Sequence, residues 1–155
     1  MQKAKKIGKI LIFLILFVFI FSKVSYILGI PQDATPTVKT YNSFYKEPED
    51  TLQVITLGNS RMTFAWNSVY FWQDTGVTSY NMSTYSQPAI CIRYLMEETQ
   101  KTQKDALYIV DLNSFSSEQI YGMNEAFIRR VSDCMPFSMT KVNMLNELLE
   151  LYPET

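Results

Sequence analysis

Ser60 stands where a nucleophile would be useful. It follows Gly58-Asn59 at the end of an apolar, strand-like run, Leu52-Gln53-Val54-Ile55-Thr56-Leu57. A serine on a tight strand-to-helix turn has its Oγ exposed. The backbone N–H groups that follow it point to where an oxyanion would form. Such a serine attacks only with a general base in reach. Without one it caps the next helix or holds an anion there, and spacing alone favours that plainer role. Histidine is absent from all 155 residues. That zero excludes an imidazole base or imidazole metal ligand drawn from this sequence.

Other polar groups fall at comparable places. Asn81 and Asn113 each follow a β-prone stretch, so in a parallel sheet their loops would emerge on the same edge as Ser60. Their amides could donate to an oxyanion, although Asn is also common in such loops because it tolerates turns. Gly58, Asn59 and Arg61 complete the candidates for holding an oxyanion or substrate. Arg61 could instead pair at the surface with Glu49 or Asp50, which contributes little. Asp111 ends a strand and could orient a partner or bind a cation, or simply be solvated. Phe64, Trp66, Tyr70, Phe71 and Trp72 form a dense aromatic group. Core packing is the default for them, and stacking on sugars is the alternative. Nothing in the sequence calls for a metal or a cofactor.

The elements that would position these groups follow from the pattern. Residues 1–9 are basic, with Lys3, Lys5, Lys6 and Lys9. Residues 10–30 are apolar but for an interruption at Ser22-Lys23, and long enough to cross a bilayer as a helix. The lysine excess places the amino terminus on the cytoplasmic side and the rest outside, in a cell membrane. The alternative is a cleaved signal peptide. Residues 31–50, with Pro31, Pro36 and Pro48, read as a linker or short entry segment. A domain over 51–155 then alternates strand and helix. The helices are expected over Met62–Asp74 (or a shorter one capped by Asn67 or Ser68, ending at Gly76), Gln87–Gln103, Glu118–Val131 and Thr140–Leu151. Strands fall at Leu52–Leu57, Val77–Asn81 and Leu107–Asp111. This alternation predicts an α/β fold with a parallel sheet and helices on both faces. From Pro31 onward nine basic side chains stand against fifteen acidic ones, a net charge of −6. Such a domain is a poor binder of nucleic acid. Cys91 and Cys134 fit no metal spacing and are either two thiols or one disulfide.

Several short motifs in this order resemble membrane-anchored members of the SGNH (GDSL-like) hydrolase superfamily. They are Tyr45-Lys46-Glu47-Pro48, Gly58-Asn59-Ser60-Arg61, Gly76 to Met82, Ser86-Gln87-Pro88, and Asp133-Cys134-Met135-Pro136 with Ser138 and Lys141. The resemblance covers about residues 41–145. It implies a three-layer, flavodoxin-like sheet, here incomplete, behind one transmembrane helix, with Ser60 as the nucleophile. It also implies oxyanion donors near Asn81–Ser83 and at Asn113. The family's usual glycine in the second block and its Gly-x-Asn-Asp are missing. So is its Asp-x-x-His acid and base block. The expectation is the amino-terminal part of a longer extracytoplasmic esterase or O-acyltransferase acting on cell-envelope glycans, inactive as it stands, with a shortened, inactive copy as the other account. Its partners would be the lipid bilayer and a glycan or acyl donor, with no nucleic acid. A non-catalytic, membrane-anchored binding or scaffold module is the alternative. A receiver-like or nucleotide-binding domain is weaker, for want of a glycine-rich phosphate loop.

Overall fold

Val54–Leu57 are buried without exception and form β1, the central strand of a parallel sheet. A strand covered on both faces needs an unbroken apolar or β-branched run, and Val-Ile-Thr-Leu supplies one. In the computed structural model, which describes residues 2–28, 35–116 and 125–151, β2 (Ser79–Asn81) and β3 (Leu107–Val110) flank β1 in the order β2-β1-β3. Ile55 lies opposite Tyr80 on one side and Tyr108 on the other. The expected α/β alternation around a parallel sheet is therefore present.

The chain divides into two units, residues 1–31 and 32–155. The first carries α1 (Gln2–Leu28). Its segment Lys6–Ile27, 22 residues, is long and apolar enough to cross a membrane, a test that a signal sequence also meets. At 1.5 Å per residue it extends about 33 Å, against a hydrocarbon layer of about 30 Å. Phe13, Phe17 and Phe21 stack along one side of it at 6.3 and 6.1 Å.

In the second unit the segment expected as a linker contains a helix, α2 (Pro36–Phe44). Thr35 caps it by accepting from the Val38 N–H at 3.3 Å, and Pro36 sits where its missing N–H costs nothing. Val38, Tyr41 and Phe44 share one helix face and are buried in the core. Phe44 meets the Tyr80 ring edge-on at 5.4 Å. Three apolar side chains at a spacing of three outweigh the loop-like composition around them. The rest of the link is pinned by Gln103. Its Oε1 accepts from the N–H groups of Thr51 and Leu52, and its Nε2 donates to the Pro48 carbonyl.

Past Ser60 the expected helix is two, α3 (Ser60–Ala65) and α4 (Ser68–Thr75). Asn67 breaks them apart by capping α4, accepting from the N–H groups of Val69 and Tyr70 at 3.0 and 3.2 Å. Gly76 ends α4 in the left-handed region, φ 71°. The aromatic group here does not pack as a core. Phe64 is 77% exposed, Tyr70 67% and Trp72 55%, and neither helix has a buried residue. Trp66 and Phe71 stay partly covered against each other, ring centroids 4.6 Å apart.

The core lies elsewhere. Ile92 and Leu95 of α5 (Ala89–Thr99), Ile128 and Val131 of α6 (Glu125–Ser132), and Met144 and Leu148 of α7 (Met139–Leu151) close over Ile55, Leu57 and Met82. Residues 117–124, including the expected start of α6, lie outside the described residues. Glu98 is buried. It is compensated by the Lys101 ammonium and by the Ser138 hydroxyl at 2.8 Å. The α5–α7 packing is fastened by Glu147, which accepts from Arg93 at 2.8 Å and from the Tyr94 hydroxyl. Cys91 and Cys134 are free thiols.

Candidate functional site

The site grows from Gly58. Its φ is +155°, and a Cβ built there would lie 2.6 Å from the Asp111 Cβ and 3.1 Å from the Met62 Cβ. Only glycine lets β1 turn so close to the end of β3. Both backbone groups of Gly58 are committed. The N–H donates to Gln87 Oε1 at 2.8 Å, and the carbonyl accepts from the Thr84 N–H at 3.1 Å. Gln87 is fully buried, and its Nε2 donates to the Met82 carbonyl at 3.0 Å. One side chain thus locks the turn after β1 to the loop after β2.

Asn59 caps α3: its Oδ1 accepts the Arg61 N–H at 2.9 Å, and its carbonyl accepts the Thr63 N–H at 3.1 Å. Ser60 is the first helical residue, partly buried, and its hydroxyl has no hydrogen-bond partner among the described residues. Its N–H belongs to the helix's opening turn, where no intrahelical acceptor exists. The Arg61 guanidinium is exposed and makes no ion pair among the described residues. Asp50 pairs with Lys104 instead, at 3.9 Å. Ser60 and Arg61 therefore keep the free donors of the turn.

Asn81 does not. Its Oδ1 accepts from the Thr56 hydroxyl at 3.0 Å and from Ser83, and its Nδ2 donates to the Met62 and Trp66 carbonyls, both at 3.3 Å. Its amide ties β1, α3 and the loop after β2 together, leaving no donor for a ligand. Asn113 lies in a short 3-10 turn, Leu112–Phe115, that follows β3. Its N–H donates to Asp111 Oδ1 at 2.9 Å, while its side chain is bonded to no described residue. Ser60, Asn81 and Asn113 all sit at or beyond the carboxyl ends of parallel strands, on one edge of the sheet. Gly58, where the Ser60 turn begins, adjoins the β3 end directly, because the Asp111 N–H donates to the Leu57 carbonyl at 3.0 Å.

Three buried polar atoms flank this turn without a partner among the described residues: Thr84 Oγ1, Asp111 Oδ2 and Ser114 Oγ. The Thr84 N–H bonds Gly58, and the Ser114 N–H bonds the Asp111 carbonyl at 3.1 Å. An unsatisfied buried polar group costs about 1–3 kcal/mol, and the buried hydroxyls of Tyr41 and Tyr45 are likewise unpaired among the described residues. Sequence reasoning reached Asp111 but missed Thr84, Gln87 and Ser114. Gln87 reads only as the residue before Pro88, and no local pattern announces a contact made 29 positions away. The arrangement offers a serine, an adjacent arginine and three unpaired oxygens on the neighbouring loops, but no imidazole.

No protein-family model, no curated protein and no solved structure matches this chain.

Proposed function

We propose that the chain is the membrane-tethered, nucleophile-bearing part of an SGNH-like esterase or O-acyltransferase that acts on cell-envelope glycans. One observation carries this reading. Ser60 opens a helix directly after the central strand of a parallel sheet, and its hydroxyl is uncommitted among the described residues. The strand order β2-β1-β3 is the order in which a flavodoxin-like sheet begins. Ligands of such sheets bind where that order reverses, between the carboxyl ends of β1 and β3. Here those ends carry Gly58–Arg61 and Asp111–Ser114.

In this reading Ser60 Oγ attacks an acyl carbon, and its proton goes to a base from outside these 155 residues. The ester C–O bond then breaks, the departing alkoxide takes up that proton, and the acyl group passes from Ser60 Oγ to water or a glycan hydroxyl, whose proton returns to Oγ through the same base. The Ser60 N–H and Asn113 are the donors left for the oxyanion, since Asn81 is committed. Arg61 would add positive charge beside it. The lysines before the apolar helix put the amino terminus in the cytoplasm and the sheet domain outside.

A non-catalytic scaffold module is the second reading, favoured by the committed Asn81 amide and the missing histidine. Expressing the chain through its downstream coding sequence separates the two. A downstream Asp-x-x-His with Ser60-dependent ester hydrolysis supports the enzyme. A stop codon directly after Thr155 supports the scaffold.

A further inference from the structure

A cleft of about 490 Å³ opens beside the outer edge of β2. Its walls include Thr40 of α2, Glu47 just beyond that helix, Ser68 and Trp72 of α4, and Tyr80 of β2. Glu47 is half-buried; its N–H donates to the Phe44 carbonyl at 3.0 Å, yet its carboxylate makes no ion pair or hydrogen bond among the described residues. Its negative charge is felt within the cleft. The Tyr80 phenol is held above its ordinary range, first by burial and then by Glu47. Tyr80 cannot swing away, because its hydroxyl donates to the Thr40 carbonyl at 2.8 Å. Trp72 remains more than half exposed.

A sugar would need several uncommitted hydroxyl or amide partners, and most here are taken. The Thr78 hydroxyl donates to the Thr51 carbonyl at 2.7 Å, Ser79 Oγ accepts the Trp66 indole N–H at 3.2 Å, and the Asn81 amide is used up. An added peptide strand would find only the three residues of β2 to pair with. What the cleft does offer is an unpaired carboxylate and two aromatic rings lining the same space, in a domain of net charge −6. That is the chemistry that recognises an ammonium group. We propose that this cleft binds an organic ammonium group, with Glu47 as its counter-ion and Trp72 and Tyr80 as its aromatic walls. The group could be carried by a free amine or by the headgroup of a zwitterionic lipid. This site stands whether or not Ser60 is a nucleophile.

The test uses the full chain in non-ionic maltoside micelles. Tryptophan fluorescence is followed while choline is added, at constant ionic strength, in parallel with its uncharged isostere 3,3-dimethylbutan-1-ol. The expected result is a saturable change with choline and little with the isostere. Glu47→Gln, with unchanged circular dichroism, should weaken it about tenfold, and Trp72→Phe should remove the signal. Repeating the titration in phosphatidylglycerol nanodiscs with and without phosphatidylcholine separates the sources. A midpoint raised by phosphatidylcholine assigns a lipid headgroup, and an unchanged one assigns a free amine. The proposal is overturned if choline gives no response, if the isostere matches choline, or if Glu47→Gln leaves the curve unmoved. A response only to a neutral oligosaccharide or an extended peptide overturns it too.

Discussion

At the scale of single residues, Gly58 carries the geometry of the turn. Its φ of +155° and the 2.6 Å approach to the Asp111 Cβ leave no room for a side chain. Gly58→Ala is expected to destabilise the domain by about 2 kcal/mol or more, read as a lowered urea midpoint. A change under about 0.5 kcal/mol, the range of an ordinary surface substitution, would refute this view of the turn. Cys91 carries a pH dependence. Burial pushes its thiol up from 9.0 to about 12, and Tyr41, also buried, is raised well above its ordinary 10.0. Both groups favour the neutral form more in the fold than in the unfolded chain. Their contribution is therefore complete below about pH 9 and is lost as pH rises toward 12. Urea midpoints should fall across that window, and Cys91→Ala should flatten the fall. An unchanged slope in that variant would mean that the Cys91 thiol does not titrate into the unfolding equilibrium.

At the scale of elements, α2 is the informative case. Phe44 is 1% exposed and its ring packs on Tyr45 and Tyr80. Phe44→Ala should cost about 3–5 kcal/mol, as for a core aromatic. A loss below about 1 kcal/mol would return residues 36–44 to the status of a linker. The prolines around this helix suggested a loop, while the Val38, Tyr41, Phe44 spacing that fixes it was too short a pattern to outvote them. β1 and β3 were legible because each is a compact apolar or β-branched run, while β2, Ser-Tyr-Asn, was legible through the β-prone Val77-Thr78 that lead into it. Ser60 was legible as a turn residue because Gly58 precedes it and a helix follows. The aromatic residues of α3 and α4 misled for a different reason. Their spacing is helical, but spacing does not say which way a helix faces, and Asn67 splits the run before a single face can form. Gln87 and the unpaired oxygens of Thr84 and Ser114 depend on loops meeting across the sheet edge. No periodicity encodes such a meeting.

At the scale of the whole molecule, an apolar helix and an acidic α/β domain share one chain. With α1 uncleaved, the 155-residue chain should stay in the membrane pellet after carbonate extraction, at an unshortened 18.0 kDa. A soluble product shortened by about the length of α1 would assign it as a signal sequence instead. The central claim is that Ser60 is a nucleophile whose base lies outside these residues. It is tested most directly by p-nitrophenyl acetate hydrolysis, comparing the 155-residue chain, the chain extended through its downstream coding sequence, and Ser60→Ala versions of both. The predicted result is turnover by the extended chain that Ser60→Ala abolishes, with none above the Ser60→Ala control from the 155 residues alone. Ser60-dependent turnover by the 155 residues, or none by the extended chain, would contradict it.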